Sequence, residues 1–202
     1  MITGPRYKLA KRLGTSVFEK AQTQKFALAA ERVGRVRKGR PRGASEYGKQ
    51  LLEKQKVKVT YGIGERQFSR YVREAVEAGG NPIENLHQTL ELRLDNVLYR
   101  LGLAKTRRFA RQMATHGHVT LNGRRINVPS AAIKVGDVIA VREGSRASVM
   151  FEGFKERFAE QPLASWLSWN PDTMAGGVKE VPTVVSADPA GDFSAVLSFY
   201  SR

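Results

Sequence analysis

The stretch from residue 92 to residue 141, LRLDNVLYRLGLAKTRRFARQMATHGHVTLNGRRINVPSAAIKVGDVIAV, constrains the fold of this chain most. Leu94, Val97, Leu98 and Leu101 recur at helical spacing, and Gly102 stops the run. Thr106 predicts the cap of a second helix reaching about His116, where Gly117 can take the left-handed stop. A strand over 118–121 meets Asn122-Gly123, a strong hairpin signal, and returns through Ile126 and Val128. A further strand over 138–141 follows the turn at Val135-Gly136-Asp137. Helices feeding a small hairpin-based sheet predict an α+β arrangement.

Charge is oddly placed on this frame. Lys105, Arg107 and Arg108 surround the start of the second helix, where the backbone already presents partial positive charge. An exposed cation there costs roughly 0.3–1 kcal/mol. A phosphate reverses the sign, because it accepts the free N–H groups and pairs with guanidinium groups. Arg111 lies one turn on from Arg107, and Arg124 and Arg125 follow the hairpin turn.

The whole chain shares the bias, with 34 Lys+Arg against 19 Asp+Glu in 202 residues and a net charge of +15. Residues 1–58 carry 16 bases and 4 acids, residues 93–142 carry 10 and 2, and residues 143–202 carry 5 and 8. A basic front and middle suit a polyanion. With no long apolar span or lipidation motif, a membrane is not the expected partner. The absence of cysteine excludes disulfides, thiol catalysis and cysteine zinc knuckles. The three histidines, His87, His116 and His118, do not suffice for a histidine-only zinc site, so no metal and no cofactor are expected. The opening MITGPRYKLAKRLG lacks the apolar run of a secretory signal, while its basic composition leaves an organellar transit segment open.

Elsewhere, residues 5–13 predict a short basic helix carrying Lys8, Lys11 and Arg12. The acid-free run from Arg32 to Gly43, with Arg35, Arg37, Lys38, Arg40 and Arg42, buries too little apolar surface to order alone and reads as an arm between phosphates. Ser45 caps a helix to about Val57, with Lys54, Lys56 and Lys58 as a basic patch near its end. Glu65–Ala78 has a buried stripe of Phe68, Tyr71, Val72 and Ala75, leaving Arg66, Arg70 and Arg73 off it. Asn81-Pro82-Ile83-Glu84 starts a helix whose apolar spacing runs unbroken from Ile83 to Leu101. Trp166 and Trp169 are expected to pack, and strands are expected at 181–185 and 195–200.

RLDNVLYRLGLAKTRRFARQ, HGHVTLNG, NVPS and VGD together resemble the small RNA-binding module named after small-subunit ribosomal protein S-four. The resemblance implicates Lys105, Arg107, Arg108, Arg111, Gln112, His116, Asn122 and Arg125 in RNA contact. The flanks YGKQLLEKQKVKVTYGIGERQFSRYVREA, GPRYKLAKRLG, SWL and FYSR resemble the bacterial-type S-four family itself, in a variant without the cysteine knuckle.

That family implies four parts: a basic arm over 1–44, a helical domain over 45–92, the RNA-binding module over 93–154, and a segment over 155–202 returning to the helical domain. It implies direct binding of small-subunit (16S) rRNA in its five-prime domain, assembly of the subunit body and an effect on decoding accuracy. Ribosomal protein S-five and the messenger RNA path would be neighbours, in cytoplasmic or organellar ribosomes. No small-molecule substrate is implied. Two rivals remain: an RNA-modifying enzyme, since Arg93-Leu94-Asp95 echoes the catalytic triplet of some pseudouridine synthases, and a free RNA-binding regulator.

Overall fold

In this computed structural model the described residues are 5–14, 17–18, 21, 23–24, 26, 28, 45–152, 154, 158, 163–184 and 190–201. The architecture is α+β, and the chain divides into two units, Met1–Leu86 with Val184–Arg202, and His87–Thr183.

The first unit contains α1 (Arg6–Leu13), α2 (Glu46–Thr60), α3 (Glu65–Glu77), the start of α4 (Pro82–Glu91) and α8 (Phe193–Tyr200). Ser45 Oγ accepts the Gly48 N–H at 3.2 Å and caps α2. Leu13 of α1 packs with Val17 and Val59. α3 buries Phe68, Tyr71, Val72 and Ala75, the face its spacing predicts. α8 packs on α2 and α3. Ring centroids of Tyr47 and Phe199 lie 5.5 Å apart, and Phe68 meets Tyr200 edge-on at 6.0 Å.

The strand expected over 195–200 is therefore a helix. Asp192 Oδ1 accepts the N–H groups of Ser194 and Ala195 at 2.8 and 3.2 Å, which starts the helix, and Phe193 and Val196 turn inward. A short apolar run does not distinguish strand from helix; the cap decides. Residues 181–184 form no strand, and Val185 lies outside the described residues.

The second unit holds α5 (Leu94–Arg100), α6 (Arg107–Thr115), β1 (Val119–Leu121), β2 (Arg124–Ile126), β3 (Val138–Val141), α7 (Glu143–Arg146), β4 (Leu167–Asn170) and β5 (Ala175–Val178). Its sheet is antiparallel in the order β2-β1-β3-β5-β4. Val119 pairs with Ile126 on one side and Val141 on the other. Leu94, Leu98, Leu101, Met113 and Ile139 share the core beneath the sheet with Trp169, which meets Phe154 edge-on. Of the segment 155–202, residues 167–170 and 175–178 form the last two strands of this sheet.

The apolar run from Ile83 to Leu101 forms two helices, not one. Arg93 between them is extended at φ −71°, ψ 140° and bridges to Ala132. Leu92 O accepts the Ile133 N–H at 2.8 Å, while Leu94 and Asp95 donate their N–H groups to Ala131 O and Pro129 O at 2.9 and 3.0 Å. The loop over 128–133 thus satisfies donors that a preceding helical turn would otherwise occupy.

Candidate nucleic-acid interface

The helix α6 opens as its sequence dictates. Thr106 Oγ1 accepts the Phe109 N–H at 3.1 Å, His116 ends the helix, and Gly117 follows at φ 67°. Ala110, Met113 and Ala114 face the core, leaving Lys105, Arg108, Gln112 and His116 exposed.

Two buried carboxylates organise the arginines around it. Asp95, 4% exposed, accepts Arg93 Nε at 3.0 Å and Arg93 Nη2 at 2.7 Å, and lies 3.7 Å from Arg111 Nη1. Arg93 is itself only 1% exposed, so this pair is internal. The aspartate of the Arg-Leu-Asp triplet is locked in a structural bond. Glu91, 1% exposed, accepts Arg100 Nε and Nη2 at 2.8 Å each and Asn96 Nδ2 at 3.0 Å.

Asn96 then passes the order outward. Its Oδ1 accepts Arg107 Nε at 2.8 Å, and the Arg107 guanidinium lies over the Tyr99 ring, 4.4 Å from its centroid. An arginine held by one nitrogen and one face keeps its plane fixed before any anion arrives, which lowers the ordering cost of binding. Arg107 and Arg111 are half-buried, whereas Lys105, Arg108 and Arg124 are exposed and form no ion pair among the described residues.

On the sheet side, Arg125 Nη2 donates to His116 O at 3.1 Å. Asn122 has φ 49° and closes the hairpin; its Nδ2 donates to Asp137 Oδ1 at 2.8 Å and its Oδ1 accepts the Val138 N–H at 2.9 Å. Asn122, expected at the RNA surface, is exposed and clamps two turns together with both ends of its amide. The Asn122 bond, with the Lys134 N–H, holds the Asp137 carboxyl below its ordinary range.

The remaining expected residues fall in the other unit. Lys54 is 8% exposed, donates to Glu65 Oε1 at 2.8 Å, and sits 4.3 Å over the Phe199 ring. A cation so enclosed serves packing. Lys58 donates to Glu65 Oε2 at 2.7 Å, Lys56 pairs with Glu53 at 3.6 Å, and Arg70 pairs with Glu74 at 3.5 Å. Lys8, Lys11, Arg12 and Arg66 are exposed. Arg35, Arg37, Lys38, Arg40 and Arg42 lie outside the described residues.

Sequence reasoning missed Asn96, Tyr99, His118 and Arg142. Asn96 and Tyr99 follow Arg107's half-buried placement and carry no charge signal. His118 and Arg142 adjoin predicted strand ends, and only the β1–β3 pairing joins them, with the Arg142 N–H donating to His118 O at 2.9 Å. Among the described residues no group of three or more His, Asp or Glu is placed to hold a metal ion, and no helix is long and apolar enough to cross a membrane.

Inward-turned acids and outward cations on a helix-and-sheet frame define an RNA-binding module of the α+β class. Residues 92–139 match the family described as the S4 domain, and residues 1–91 match the Ribosomal protein S4/S9 N-terminal domain. The chain is 42% identical to the small ribosomal subunit protein uS4 of Acetivibrio thermocellus, covering 99% of this chain and 98% of that protein. It is 43% identical to uS4 of Cupriavidus taiwanensis over 99% of this chain and 98% of that one. With uS4 of Roseiflexus castenholzii it shares 42% identity over 98% of each. The chain belongs to the uS4 family.

Proposed function

We propose that this chain is a structural protein of the small ribosomal subunit, acting by direct binding to 16S rRNA rather than by catalysis. One observation carries the mechanism: Lys105, Arg108 and Arg124 stand exposed without ion pairs among the described residues, while Asp95 and Glu91 face inward and hold neighbouring arginines. Such a surface supplies cations to phosphates and fixes their spacing. Duplex RNA hides its bases in a deep, narrow major groove, so recognition by shape and backbone suits it. Membership of the uS4 family supports the ribosomal setting.

The finer reading extends this. The protein contacts the five-prime domain early in assembly, neighbours ribosomal protein S-five and the messenger RNA path, and contributes to decoding accuracy. Its place is the cytoplasmic ribosome. The commitment of Asp95 to Arg93 speaks against an RNA-modifying enzyme, since a catalytic aspartate must reach substrate.

Fractionation tests the reading. The chain should remain in small subunits at one copy each after a high-salt wash, and should retain a five-prime-domain transcript on a filter. Recovery only in free fractions would instead favour a free regulator of messenger or transcription. New modified nucleosides in treated rRNA would favour the enzyme.

A further inference from the structure

A second cationic group lies at the other end of α6, and among the described residues no carboxylate pairs with its arginines. His116 and His118 have ring centroids 6.0 Å apart. His118 Nδ1 is 3.1 Å from Ser145 Oγ, which also accepts Arg142 Nε at 3.3 Å. Arg125 reaches the same place, donating Nη2 to His116 O at 3.1 Å. The four side chains come from the end of α6, the residue before β1, β2 and the residue after β3. Arg146, on α7, points its Nε at Val141 O at 3.3 Å.

Glu143 is next in sequence to Arg142 but exposed, and among the described residues neither Arg125 nor Arg142 forms an ion pair. Arg93, Arg100 and Arg111, by contrast, all have carboxylate partners. Like charges gathered without a counter-ion repel, and the fold nonetheless fixes them with Ser145 and backbone carbonyls. An anion of phosphate type, with several acceptor oxygens, resolves the repulsion and suits guanidinium donors.

We propose that His116, His118, Arg125 and Arg142 form a phosphate-binding subsite for ribosomal RNA whose occupancy is coupled to uptake of a proton by His118. This deepens the rRNA-binding reading and rests on it. Burial, then the charges of His116, Arg142 and Arg125, hold the His118 ring below its ordinary value of 6.5, so the free protein carries it neutral at neutral pH. A phosphodiester between the arginines reverses the local potential and favours the imidazolium. The proton comes from solvent, and binding strengthens as pH falls.

The experiment measures affinity of the full chain for a five-prime-domain rRNA transcript from pH 8 to pH 6 at constant ionic strength. Affinity should rise about fivefold to tenfold over that range, since one coupled proton changes it by at most roughly tenfold per pH unit. His118→Gln should flatten the profile, so that the variant's affinities at pH 8 and pH 6 differ by less than about twofold. Arg142→Ala should weaken binding at every pH. In the wild-type chain, the His118 ring resonances should titrate at higher pH with bound transcript than without it.

A flat wild-type profile with tight binding overturns the subsite and leaves the rRNA reading intact. Absence of binding at every pH overturns both. An equal shift of the His118 titration by millimolar inorganic phosphate overturns its assignment to RNA.

Discussion

Tyr200 Oη donates to Glu65 Oε1 at 2.7 Å, tying together residues 135 positions apart in the chain. The same carboxylate accepts Lys54 and Lys58, so one side chain gathers α2, α3 and α8. Tyr200→Phe keeps the ring against Phe68 and removes only the hydroxyl. Loss of a hydrogen bond to a charged acceptor is expected to destabilise by about 1–2 kcal/mol, the low end of its range because Glu65 is half-exposed. A urea midpoint equal to wild type would show that the bond adds nothing.

The Glu65 cluster also sets an acid limit. Burial alone would raise the Glu65 carboxyl, but hydrogen bonds from Lys54, Lys58 and Tyr200 outweigh it and bring the value from 4.5 to about 2. Between those values the folded state binds fewer protons at this site than the unfolded chain, so stability there rises with pH. The contribution is complete above 4.5 and is lost as pH falls toward 2. Glu65→Gln should therefore make the stability curve shallower in this window, read by urea melts at each pH. Parallel curves for variant and wild type would contradict it.

Asp95→Ala should be among the most damaging single changes. It removes two hydrogen bonds from Arg93, 1% exposed, and breaking a buried ion pair costs about 3–5 kcal/mol. Thermal unfolding measures it. A wild-type melting temperature would show that Asp95 has no structural role.

Regular periodicity was easy to read, and interruptions were not. Phe68, Tyr71, Val72 and Ala75 share one spacing and one buried face, and Asn122-Gly123 marks its hairpin unaided. The break at Arg93 does not interrupt the hydrophobic pattern, because it is made by hydrogen bonds to a loop some forty residues later. Likewise Lys54 looks like its neighbours Lys56 and Lys58 in sequence. What encloses it is Phe199, supplied by a helix at the far end of the chain. Charge in a sequence therefore marks candidates for the interface, while tertiary partners decide which cations face outward.

Exposed and organised cations should behave differently toward salt. Lys105→Ala and Arg108→Ala should each weaken RNA binding and reduce the slope of log K against log salt by roughly 0.7–0.9, without moving the urea midpoint. Tyr99→Leu removes no charge but releases the face of Arg107. It should weaken binding to structured rRNA more than to unstructured poly(U). Equal losses on both RNAs would mean that the Tyr99 stack does not position Arg107.

Gly117 and Gly123 separate backbone strain from the placement of an arginine. Both have positive φ, 67° and 79°, so alanine at either should cost about 1–2 kcal/mol. A Cβ at Gly123 meets nothing within 4 Å, whereas at Gly117 it runs into the Arg125 guanidinium, with Nη2 at 2.9 Å and Cζ at 3.0 Å. Gly117→Ala must therefore push Arg125 off the His116 carbonyl, and Gly123→Ala does not. Similar urea midpoints combined with weaker rRNA binding only for Gly117→Ala would assign that loss to Arg125's position. If both variants bind rRNA equally, the position of the Arg125 guanidinium over Gly117 does not matter for RNA, even if its charge does.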